Sequence, residues 1–152
     1  MIRPAQKNDL ESMIALLKLL FGIEEDFIFD RKRQQRGLEL LMDAPNAKIL
    51  VAERQGTVIG MVTAQLVIST AEGGPALLVE DLVVNPSGEN SGAGTALLRA
   101  VGEWGANHGA SRMQLLADKM NSRALDYYHR RGWQQTQLIC LRTYSRQYEA
   151  NV

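Results

Sequence analysis

The sequence predicts an α/β protein, one mixed sheet with helices on both faces, and three observations carry that expectation. Helically spaced apolar stretches alternate with β-branched runs along the chain. An apolar strand over residues 77–84 enters a glycine-rich turn that opens a helix. The chain has 152 residues, 45% hydrophobic and 22% charged, which is the size and composition of a single domain spanning 1–152.

The elements follow in order. Leu10, Met13, Ile14, Leu17, Leu20 and Phe21 recur at helical spacing, and Asn8 with Glu11 three residues on offers a capping box. Asp30 caps a second helix whose Leu38, Leu41 and Met42 share a face, and Pro45 stops it. Its Arg31, Lys32, Arg33 and Arg36 read as an exposed face. Residues 49–53 and 58–68 are β-branched runs around Gln55-Gly56, the pattern of a hairpin. Residues 77–84 are the strand before the turn, and Leu97, Leu98, Val101 and Trp104 mark the buried stripe of the helix after it, ending near 107–109. Residues 113–117 form another strand. Asn121 or Ser122 caps a helix running through Arg131, and residues 135–144 supply closing strands with Cys140 buried among them.

Composition excludes several classes. Seventeen basic residues balance seventeen acidic ones, so no overall field recruits nucleic acid or an anionic membrane. The single cysteine cannot form an internal disulfide, which suits a reducing compartment. The N-terminus lacks a signal-peptide pattern and no uncharged run approaches a membrane span, so the expected location is cytoplasmic. His108 and His129 are isolated and lack metal-ligand spacing, so no metal is expected.

The glycine turn binds an anion, because glycines let backbone approach a ligand and the first-turn amides of a helix point at it. A Walker loop needs lysine after its last glycine, whereas Thr95 follows Gly94. A dinucleotide fingerprint needs Gly or Ala where Leu97 stands. The remaining pattern is Gln/Arg-x-x-Gly-x-Gly/Ala after a strand ending near Val-x-Pro, matched by Glu89-Asn90-Ser91-Gly92-Ala93-Gly94 except at its first place. On that turn the chain resembles the GCN5-related N-acetyltransferases. A second segment, Asn121-Ser122-Arg123-Ala124-Leu125-Asp126-Tyr127-Tyr128-His129-Arg130-Arg131-Gly132-Trp133, is similar to the family's Asn-x-x-Ala-x-x-x-Tyr-x-x-x-Gly-Phe signature with Trp for Phe. Ile2-Arg3-Pro4-Ala5 followed by Asn8-Asp9-Leu10 resembles the family's first strand and helix start.

The resemblance implies the acyl-CoA N-acyltransferase fold, in the order β-α-α-β-β-β-α-β-α-β-β, and acetyl-CoA as co-substrate. It implies that the turn Glu89, Asn90, Ser91, Gly92, Ala93, Gly94 and Thr95 holds the pyrophosphate. The backbone of Leu82, Val83 and Val84 would pair with the pantetheine, and Asn121, in the motif with Ala124, would hydrogen-bond that arm. Arg131 could reach cofactor phosphates, although arginine beside a helix C-terminus is favourable without a ligand. Glu89 departs from the pattern. Two like charges about 6 Å apart repel by roughly 2–3 kcal/mol at an effective dielectric near 20, so it is expected to weaken cofactor binding without abolishing it.

Tyr128 is the candidate general acid, since a phenol stays protonated at neutral pH; the plainer reading is a core aromatic. Glu80 and Asp81 are candidate bases. Strand neighbours face opposite sides, so only one is expected to look into the cleft, and Glu80 is preferred. Glu24, Glu25 and Asp26 lie where the family borders its acceptor and would suit a cationic amine, their plainer reading being a solvated loop. The acceptor is a small-molecule or exposed protein amine, and a homodimer is consistent with the family. A non-catalytic acyl-CoA sensor is the alternative from another class, and a nucleotide-binding protein a more remote one.

Overall fold

The structure, a computed structural model, describes residues 1–24 and 26–146. It resolves into two compact units, Met1–Leu115 and a second beginning at Leu116.

The first unit is a five-stranded sheet with strands in chain order: β1 (Ile2–Pro4), β2 (Ala47–Arg54), β3 (Thr57–Ser69), β4 (Gly74–Val84) and β5 (Met113–Leu115). All neighbours are antiparallel except β4 and β5, so the sheet is mixed as expected. Two helices, α1 (Leu10–Ile23) and α2 (Arg31–Asp43), precede β2, and α3 (Ala93–Asn107) connects β4 to β5. The alternation of side chains sorts the sheet into two buried faces. On one, Ile49, Val51, Met61 and Val83 pack with Met13, Ile14 and Leu17 of α1 and Leu38 of α2. On the other, Leu77 is fully buried against α3, where a Cβ at Gly105 would stand 2.7 Å from its Cδ2. Glycine at 105 is what lets that helix lie so close.

Local signals account for most boundaries. Gln55 and Gly56 take φ of 51° and 75°, the two left-handed residues of a tight hairpin turn between β2 and β3. The Asp30 carboxylate accepts from the Arg33 amide at 3.2 Å and starts α2. The start of α1 differs from expectation. The pairing is Asp9 with Gln6 rather than Asn8 with Glu11, because a short 3-10 turn over Lys7–Asp9 precedes the helix and Asp9 Oδ2 accepts from the Gln6 amide at 2.7 Å. Arg3 then joins three elements. It donates to both oxygens of Asp9 (2.7 and 2.9 Å) and to Glu53 Oε2 on β2 (2.7 Å).

The second unit holds α4 (Ser122–His129). Residues 135–144 form no strand, and Cys140 is exposed, both contrary to expectation. Among the described residues of its own unit α4 is the one regular element beside that β-prone run, and a strand without a partner leaves its backbone groups unpaired by protein.

The Arg3 guanidinium holds the Asp9 carboxyl below its ordinary value, against the opposing effect of burial. The folded carboxyl therefore binds its proton more weakly than the unfolded one. Its contribution to stability is complete above the unfolded value of about 3.9 and is lost as pH falls through the folded value. Arg3→Met is expected to lower the melting temperature at pH 7, with the gap to the parent closing as pH falls below about 4 in thermal scans.

Candidate active site

The central feature is a register change in β4. Leu77 donates its amide to Arg112 O at 2.8 Å, on the β5 side, whereas Asn85 donates to Ile59 O at 2.7 Å, on the β3 side. Both are odd-numbered, and an unbroken strand would send them to the same edge. One extra residue therefore lies between them. It is found where Thr63 pairs with Glu80 but Met61 with Val83, so that Asp81 and Leu82 face Val62 alone. Asp81 takes φ of 51°, the left-handed kink that absorbs the insertion.

Two consequences follow. After the kink the amides of Val83 and Asn85 turn toward β3, leaving those of Leu82 and Val84 for the opposite edge. Along that edge β5 accompanies β4 only from Leu77 to Val79, so Leu82 and Val84 lie past its end. Side chains change faces too, which is why Leu77 meets α3 while Val83 joins the α1 and α2 core.

The kink also corrects the expectation that Glu80 and Asp81, as strand neighbours, face opposite sides. Glu80 stands opposite Thr63 and shares its face. Thr63, 2% exposed, donates from Oγ1 to Asp81 Oδ2 at 2.8 Å, which brings the Asp81 carboxylate to that face as well. Burial pushes the Asp81 carboxyl up, opposed by the Thr63 hydrogen bond. Desolvation, then the Asp81 charge, raises that of Glu80, which retains contact with solvent. Thr63 was missed in the sequence; its one signal is a lone hydroxyl in the apolar run of β3.

Beyond β4 the chain turns through a 3-10 segment, Pro86–Gly88, whose start is capped by Asn85 Oδ1 accepting from Ser87 N at 3.0 Å. Gly88 is buried where a Cβ would stand 3.0 Å from Ile59 Cδ1 and 3.1 Å from Val84 Cγ1, so glycine lets the turn press on the sheet. Glu89 closes this segment, exposed, with its amide on Pro86 O. Asn90 (φ 62°) and Gly92 (φ 80°) take left-handed conformations, Ser91 Oγ bonds Gly88 O, and α3 begins at Ala93, followed by Gly94 and Thr95. Gly92 brings no side-chain acceptor to the helix, and a Cβ there would meet no described atom within 4 Å. Glu24 closes α1 by donating its amide to Leu20 O, and Asp26 is exposed just after it; α1 lies on the sheet face that carries Glu80 and Asp81. Glu25 falls outside the described residues.

In the second unit Asn121 is the cap of α4, its Oδ1 accepting from the Ala124 amide at 3.1 Å. The helix ends in paired bonds, Gly132 N to His129 O and Trp133 N to Tyr128 O, both 3.1 Å. This is a Schellman cap, and Gly132 supplies its left-handed residue at φ 83°. Trp133 thereby returns onto Tyr128, ring centroids 5.7 Å apart and edge-on, and Tyr127 meets Tyr128 edge-on at 5.3 Å. The Arg131 guanidinium lies 3.6 Å from the Tyr127 ring centroid and donates to Tyr127 O, so it is held against its own helix.

The chain matches the model of the acetyltransferase (GNAT) family over residues 11–133 and belongs to that family. An uncharacterized N-acetyltransferase of Methanocaldococcus jannaschii is 24% identical over 140 residues, covering 91% of this chain; the chain spans 62% of that relative's length. One from Bacillus subtilis is 26% identical over 137 residues, covering 88% of this chain and 89% of the relative. The fold is similar to a transcriptional regulator from Bacillus halodurans C-125 (TM-score 0.82, 20% identity, 95% of this chain and 98% of that one). It is also similar to the aminoglycoside N-acetyltransferase AAC(6')-Iy in complex with CoA (TM-score 0.80, 22% identity, 95% and 94%). Family membership makes the chain an acetyltransferase, and acetyl-CoA is the family's acetyl donor. The turn into α3 fits the pyrophosphate of that donor, since a side-chain-less residue in open space precedes the helix's first-turn amides.

Gly132→Ala is expected to weaken the cap that seats Trp133 on Tyr128, because alanine in the left-handed region costs about 1–2 kcal/mol. Amide exchange at Trp133 should quicken by about fivefold to thirtyfold, read by hydrogen exchange.

Proposed function

We propose that this chain is a single acetyltransferase domain over 1–152 that moves acetyl directly from acetyl-CoA to a primary amine, with no covalent acetyl-enzyme. The observation that carries this reading is the kink at Asp81, which turns the Leu82 and Val84 amides to the edge that β5 leaves. Those amides are suited to pair with the pantetheine arm, one strand's length from the anion-binding turn of residues 89–95. The donor supplies an activated acyl carbon. Holding it along its length makes attack nearly unimolecular.

Glu80 or Asp81 takes a proton from the acceptor's ammonium group, the freed nitrogen lone pair forms the new bond to the acyl carbon as the carbon–sulfur bond breaks, and the second proton that the nitrogen sheds on becoming an amide replaces the one Tyr128 gives to sulfur. A raised carboxyl pKa serves this step, because the base then lies closer to neutrality. The Tyr128 hydroxyl protonates the departing sulfur. Edge contacts from Tyr127 and Trp133 would hold that ring in one orientation. Asn121, the cap of α4, and Arg131 would meet the donor in this reading.

The acceptor is a cationic amine, drawn by the acidic Glu24–Asp26 segment and the two β4 carboxylates. AAC(6')-Iy, whose structure is also known with a CoA-linked acetylneamine bisubstrate analog, supports including aminoglycosides among the candidates. The protein is cytoplasmic and forms a homodimer in this reading. Thiol release from acetyl-CoA in the presence of a panel of aminoglycosides, polyamines, amino sugars and lysine peptides tests it. Release with at least one class is expected. Tight acetyl-CoA binding with silence across the panel would instead favour an acyl-CoA-binding regulatory module, the reading that the likeness to a transcriptional regulator keeps in view.

Tyr128→Phe keeps the ring and removes the hydroxyl. The single-turnover rate should fall by about a hundredfold or more while acetyl-CoA affinity changes little. A rate within about twofold of the parent would assign the acid elsewhere.

A further inference from the structure

The Asp81 kink has a cost that something must meet. An aspartate at φ 51° sits in a region that L-residues other than glycine rarely occupy, and such conformations persist where surrounding contacts over-determine them. Glycine would take this position without strain. What aspartate brings instead is a carboxylate, and that carboxylate is bound by the hydroxyl of Thr63 at 2.8 Å. Thr63 lies on β3 beside Val62, the one residue facing the insertion, and it is 2% exposed. It is one of two polar residues among the buried side chains described, the other being Asp9 in the Arg3 network. Burying a hydroxyl in the stretch of β3 whose other buried side chains are Ile59, Met61, Val62 and Ala64 is unfavourable unless it is hydrogen-bonded. Here its acceptor is the side chain of the strained residue.

We propose that Thr63 is a positioning residue for acetyl-CoA: by holding the Asp81 carboxylate, it fixes the left-handed kink that directs the Leu82 and Val84 amides to the edge of β4 past the end of β5. Thr63 itself touches neither donor nor acceptor in this arrangement. Its effect passes through the backbone. Losing the hydrogen bond leaves the extra residue in place but frees residues 81–82 to sample other conformations, which disorders the direction of the next two outward amides. The inference rests on the acetyl-CoA reading above and assigns a residue that the family's motifs leave out.

Thr63→Val preserves shape and removes the donor; Asp81→Ala removes the acceptor from the other side. Calorimetry with acetyl-CoA on the full chain, paired with circular dichroism to establish folding, reads the outcome. Each variant should bind acetyl-CoA about tenfold more weakly or worse, and Thr63→Ser, which keeps the hydroxyl, should stay within about threefold of the parent. A purely structural hydrogen bond would lower the melting temperature and leave the affinity of the folded protein unchanged. Either broken variant, folded and binding within about twofold of the parent, overturns the proposal, and two variants are used so that misfolding of one leaves the other as the test. A parent that does not bind acetyl-CoA would overturn the acetyltransfer reading and this inference together, whereas a parent that binds beside indifferent variants overturns this inference alone.

Discussion

A sheet buried on both faces cannot absorb an extra residue silently, because one inserted position exchanges every side chain beyond it between the two cores. In this protein the insertion at Asp81 is that constraint, and the site is arranged around it. Before it, Leu77 belongs to the α3 side; after it, Val83 belongs to the α1 and α2 side. Because both residues are well buried, neither half of β4 can slip to remove the kink without exposing an apolar face. The kink is thus held in place by hydrophobic packing at both ends and by the Thr63 hydrogen bond at its centre.

The same insertion explains the local electrostatics. Two adjacent carboxylates on a regular strand would point to opposite faces and feel each other weakly. With the kink, Glu80 and Asp81 share the face of Thr63, and burial together with their mutual repulsion raises the Glu80 carboxyl. Both carboxyls are raised above their ordinary values at the point where β5 has stopped following β4. The glycine-rich turn into α3 follows within a few residues, its close packing against the sheet made possible by Gly88.

The second unit shows that one motif can serve two purposes. The Tyr-x-x-x-Gly-Trp portion of the sequence around Tyr128 suggests chemistry, yet Tyr128, Gly132 and Trp133 are also the residues that a Schellman cap requires at those spacings. The cap and the edge-on rings give Tyr128 a defined orientation before any role in proton transfer is considered. Asn121 is similar, since it is the amino cap of the same short helix.

What the sequence determined by itself was what depends on near neighbours. Helical spacing marked α1, α2 and α3, Asp30 announced the start of α2, and Gln55-Gly56 announced the hairpin, because periodicity, caps and tight turns are decided within a few residues. The glycine turn and the Tyr128 segment were legible for the same reason, as short patterns of residue types. What only the tertiary structure decided were matters of partnership. The alternation rule failed at Asp81 because the insertion exists only relative to β3, and Thr63 looked like any strand threonine until the register set it beside a carboxylate. Residues 135–144 have strand-like composition but form no strand, since β-propensity becomes structure only when another strand completes the hydrogen bonds.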